Sequence, residues 1–77
     1  MILTDITAAW KQIRLEQEQS EVRDAAAAMR AAHPNGHPRH GYYDGLAYWL
    51  LLDLRWYGRP SPWALDVARL WHKGGAA

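Results

Sequence analysis

The 77-residue chain contains no cysteine, which removes disulfides, thiolate zinc sites and a cysteine nucleophile together. Charge of either sign is in little surplus. Nine Lys and Arg stand against eight Asp and Glu, so no general field draws the chain to nucleic acid or anionic lipid. The start, MILTDIT, has neither the basic flank nor the apolar core of a secretory signal, and no run approaches the ~20 apolar residues of a membrane span. The expected compartment is the cytoplasm. Glycine and proline are absent from residues 1–32, so nothing there interrupts a helix. A Gly-rich phosphate loop and an H-E-x-x-H pair are missing as well. Ser20 and Ser61 are accounted for by polar surface or helix capping, so neither enzymatic activity nor a cofactor is expected.

Seventy-seven residues make one domain, and a core of that size supplies no more than ~3–5 kcal/mol of net stability. Without a disulfide, oligomerisation is the obvious support. Arginine outnumbers lysine seven to two and alanine is abundant, a bias expected of a GC-rich bacterial or phage genome. No internal repeat or low-complexity tail is visible.

The organising stretch is residues 42–57, YYDGLAYWLLLDLRWY, apolar on nearly every side. At 100° per residue, Tyr43, Leu46, Ala47, Leu50, Leu54 and Tyr57 form one face, and Tyr42, Trp49 and Trp56 run beside it at seven-residue spacing. Asp53 falls between the two sets. A buried carboxylate there is expected to accept hydrogen bonds from a partner inside the fold or across an interface, in preference to a proton-transfer role.

Before it, residues 4–32 read as one helix with Thr4 as N-cap. Leu3, Ile6, Trp10 and Ile13 make a stripe expected to pack on the central helix. The polar run EQEQSE follows, and the next apolar set, Leu15, Val22, Ala26 and Met29, falls roughly on the opposite side. A break near Ser20, giving a fourth helix, would also produce that change. The continuous helix is preferred because the alanine-rich DAAAAMRAA favours it and no breaker intervenes.

His33-Pro34 ends this helix. The loop 33–41 carries an Asn35-Gly36 turn signal and three histidines, His33, His37 and His40, which with His72 form the chain's only metal-ligand constellation. The H-x3-H-x2-H spacing sits on a proline-punctuated loop, which does not enforce ligand geometry. These histidines are expected to be polar loop residues, dispensable for folding. Gly58 suits a left-handed helix C-terminus, Arg59-Pro60 forbids continuation, and the last helix, 62–73, is signposted by Ser61 as N-cap and Pro62 at N1. Its apolar face is Trp63, Val67, Leu70 and Trp71, and residues 74–77 should fray.

The fold expected is therefore all-α, a bundle of three helices. Five Trp and four Tyr exceed the needs of such a core, and Trp, Tyr and Arg dominate protein–protein hot spots. Trp10, Trp63 and Trp71 are assigned to internal packing; Tyr42, Trp49 and Trp56 are left over. The expected function is a non-enzymatic protein–protein interaction module, of the kind a phage or mobile element encodes to bind and occlude a bacterial host protein. Its interface would comprise Tyr42, Trp49, Asp53 and Trp56 with Val22, Ala26 and Met29, the same surface serving a homodimer. The alternative is a compact helix-turn-helix-like DNA-binding regulator, suggested by the short GRPS connection. The last helix, however, lacks the Asn, Gln or Arg grouping that base readout favours. A metal-responsive histidine loop is the third possibility.

Overall fold

The computed structural model describes residues 2–75, with side chains from 6 to 74. Three α-helices, α1 (Ile2–Ala32), α2 (His40–Tyr57) and α3 (Pro62–Leu70), are followed by a π-helical turn (Trp71–Gly75). Helix α1 runs unbroken, so Ser20 caps nothing. It starts before Thr4, which is helical in backbone. The Leu3 and Thr4 side chains lie outside those described.

At 1.5 Å per residue α1 is ~46 Å long and α2 ~27 Å. The connection 33–39 is short, and Gly36 takes φ +100° in its turn, so α2 folds straight back along the end of α1. Two polar ties fix this pairing. Arg30 Nε donates to Asp44 Oδ1 at 3.1 Å near the loop, and Gln19 Nε2 donates to the Gly58 carbonyl at 2.7 Å at the far end. Helix α2 thus covers α1 only from about residue 19 onward. The first half of α1 projects beyond the bundle, and the molecule measures 55 × 25 × 17 Å.

That geometry reverses the expected roles of the two α1 stripes. Val22, Ala25, Ala26 and Met29 are buried, and all but Ala26 join Leu50, Ala64, Ala68 and Trp71 in one cluster. Val22, Ala26 and Met29 therefore belong to the chain's own core and not to an interface. Ile6, Trp10 and Ile13 do not pack on α2 and are exposed, Trp10 to 66%. The physical reason is reach: an 18-residue helix after a short loop cannot extend back to them.

Helix α2 presents the expected face. Ala47 and Leu50 are buried and Tyr43, Leu46 and Leu54 half-buried, but Tyr57 lies in solvent at the end of the helix. Gly58 takes φ +74° and its N–H bonds the Leu54 carbonyl. Helix α3 turns its small residues inward. Ala64 and Ala68 are buried; of the expected face, Val67 packs against the core and Trp71 is buried, while Trp63 and Leu70 are exposed. Alanine lets the α3 backbone come close to α1, where Ala25 is also buried. Trp71 closes the cluster from the π turn. That turn begins where α3 was expected to continue to residue 73, and it includes Gly74, expected to fray; residues 76–77 lie outside the described part.

Candidate functional site

Tyr42, Trp49 and Trp56 are exposed to 70, 59 and 78%. Their seven-residue spacing places them on the flank of α2 that faces neither α1 nor the core. Trp56 continues into a cleft of about 290 Å³ lined by Trp49, Leu52, Asp53, Trp56, Tyr57 and Trp63. Beside it lies a wider, open cleft of about 740 Å³ with Asp53, Tyr57 and Trp63 in common, completed chiefly by Glu18, Arg59, Pro60, Ser61 and Asp66. Sequence periodicity identified Tyr42, Trp49 and Trp56. It missed Tyr57 and Trp63, which were assigned to core faces and instead flank the cleft. The signal that marks them is positional: both sit next to the GRPS connection, where two helix ends meet and neither element can cover the other.

Asp53 holds this junction together. It is 8% exposed, and both its oxygens are engaged by one residue across the connection. The Ser61 backbone N–H donates to Oδ1 at 2.9 Å, and the Ser61 hydroxyl donates to Oδ2 at 2.6 Å. The partner expected for Asp53 is thus inside the fold. Ser61 has the extended backbone of an N-cap, yet its hydroxyl makes no cap bond to α3 and donates to Asp53. Charge-assisted bonds of this kind are short and strong, and here they set the angle between α2 and α3 that opens the cleft. Arg59 Nη2 approaches Glu18 Oε1 at 3.8 Å on the cleft rim.

Two of the histidines meet, the His33 and His37 rings lying edge to face at 4.8 Å between centroids, but each ring is engaged separately by backbone. Nδ1–H of His33 donates to the Met29 carbonyl at 2.8 Å, and Nδ1–H of His40 donates to the His33 carbonyl at 2.9 Å. His37 Nδ1 accepts from the Arg39 N–H at 3.0 Å. His72 lies elsewhere, its Nε2–H donating to the Glu21 carbonyl at 3.1 Å; Glu21 and Met29 are eight residues, ~12 Å, apart along α1. Among the described residues no three His, Asp or Glu side chains are grouped to hold a metal. His33 is also more than the polar loop residue expected. Its ring stacks on Tyr43 at 3.7 Å between centroids, with 10° between planes, and meets Trp71 edge-on at 6.0 Å.

The outer side of α3 begins with Trp63 and Asp66, and its one arginine, Arg69, bonds Glu21 Oε2 at 2.9 Å. That bond raises the Arg69 guanidinium above its ordinary value. An aromatic and an acid at the leading end of a helix do not suit a phosphate backbone. No helix among the described residues is long and apolar enough to cross a membrane. Compared with protein-family models, curated proteins and solved structures, the chain finds no significant match, and the site's own geometry carries the functional reading.

Proposed function

We propose that this chain is a non-enzymatic protein-binding module that presents the flank of α2 and the start of α3 to another protein and acts by occluding that protein's surface. The observation that carries this reading is the exposure of Trp49 and Trp56, at 59 and 78%, beside a preformed cleft. Large aromatic side chains lose little conformational entropy on docking and bury ~150–250 Å² each, and such residues dominate hot spots when a partner excludes water from them. The partner fitting the composition is a protein of a bacterial host. The test is affinity capture with the full chain and with its Trp49→Ser, Trp56→Ser double variant. Both positions are exposed, so the variant should keep its helical circular dichroism and melting temperature while losing a protein that the wild type retains. Equal capture of the same proteins by both would sink the reading.

Self-association is a second reading, carried by a different observation. Ile6, Trp10 and Ile13, spaced i, i+4 and i+7 along the projecting half of α1, are all exposed, and a stripe of that spacing is the seam by which two helices pair. Closed two-fold dimers are the commonest homo-oligomers. Sedimentation velocity from low to high micromolar concentration should show a monomer–dimer equilibrium that Trp10→Glu abolishes. A wild-type chain that stays monomeric over that range would remove this second reading and leave the first intact.

A further inference from the structure

The smaller cleft between α2 and α3 has a composition that points to a particular ligand chemistry. Three tryptophans, Trp49, Trp56 and Trp63, and Tyr57 supply π faces, Leu52 adds apolar wall, and among the described residues the only ionisable side chain besides the tyrosine is Asp53. Aromatic faces carry partial negative charge and attract cations. A carboxylate adds a full one. The adjoining cleft extends the same sign, with Glu18, Asp53 and Asp66 against the single cation Arg59, and Arg59 is already turned toward Glu18. Among the described residues no lysine, arginine or histidine lines the smaller cleft.

We propose that this cleft is an aromatic cage for a cationic side chain, lysine or arginine, projected by the protein that docks on the aromatic face. The size agrees with a single side chain, since about 290 Å³ falls just below the ~300–1,000 Å³ typical of sites for whole small molecules. The ammonium or guanidinium enters over the Trp49, Trp56 and Trp63 rings, with Asp53 in the wall. Asp53 can serve in this way while holding Ser61, because each carboxylate oxygen has a second lone pair. The inference rests on the protein-binding reading for the source of the cation, but not for the chemistry of the cage. A small-molecule probe therefore tests it separately.

The experiment titrates the full, uniformly 15N-labelled chain at constant ionic strength with N-acetyl-lysine methylamide, with N-acetyl-arginine methylamide, and with the uncharged near-isostere N-acetyl-norleucine methylamide. The readout is the indole N–H resonances. Saturable shifts of Trp49, Trp56 and Trp63 are expected with at least one cationic probe, roughly five-fold tighter than with the norleucine compound, the scale of an exposed cation–π contact. Trp10, on the far half of α1, should not move. Trp56→Leu, at a position that folding does not bury, should weaken the cationic probe about five-fold and the neutral one much less. Equal affinity for the neutral probe, or saturation with none of the three, overturns the cage. Either result leaves the protein-binding module standing, since only its own capture experiment can remove it.

Discussion

Asp53 and Ser61 show how one side-chain pair can set the relation of two helices. Removing the carboxylate leaves the Ser61 N–H and hydroxyl without an acceptor in a largely buried place, and an abandoned buried donor costs about 1–3 kcal/mol. Asp53→Ala is therefore expected to lower stability by that amount in urea unfolding, and an unchanged midpoint would mean that water replaces the carboxylate without loss. The histidines should separate in the same assay. His33, stacked on Tyr43 and bonded to the Met29 carbonyl, should cost about 1–2 kcal/mol on change to Ala, whereas exposed His37 should stay within ~0.5 kcal/mol. Equal effects would contradict the stacking. The buried acid was legible in the sequence because its wheel position fell between two apolar sets. The identity of its partner was not, since Ser61 lies across a turn whose closure depends on tertiary contacts. The stacking of His33 was hidden for a related reason: a residue before proline reads as loop, and nothing local states that Tyr43 comes back over it.

At the scale of the helices, the number, order and approximate ends of the elements could be read from caps and breakers: the Pro34 stop, the Gly58 C-terminus and the Ser61-Pro62 start all stand where expected. The phase of α1 could not be read from apolar content, because its richer stripe, Ile6, Trp10 and Ile13, is the exposed one. What decides is length. A 31-residue helix followed by a short loop and an 18-residue helix leaves about the first half of the long helix unpartnered, whatever its residues are. The assignment is testable by paired truncations. Met29→Ala should cost ~2–5 kcal/mol as a core deletion, and Ile13→Ala within ~0.5 kcal/mol, both by thermal or urea unfolding. The reverse ranking would restore the expected packing. On α3 the inward alanines matter through what they omit. Ala64→Leu should destabilise by about 1–3 kcal/mol, because added methylenes meet a close approach of α1 and α3.

For the whole molecule, four of the five tryptophans, Trp10, Trp49, Trp56 and Trp63, are exposed and only Trp71 is buried. In dilute solution most of the indole emission should therefore be open to acrylamide, with a smaller shielded component that Trp71→Phe removes. Saturation with a protein partner should shield Trp49 and Trp56, and a dimer through α1 should shield Trp10, so single-tryptophan variants report the two kinds of contact independently. Full quenching of every indole in the folded chain would contradict the placement of Trp71. The projecting half of α1 has a further consequence, for hydrodynamics. The radius of gyration is 14.8 Å, where a compact chain of this length would have about 11.5 Å. A rod-like particle drags more solvent than a sphere of equal mass, so a single copy will leave a gel-filtration column early, at a volume that imitates a larger species. An elution volume on its own would therefore credit this chain with a partner it had not yet met.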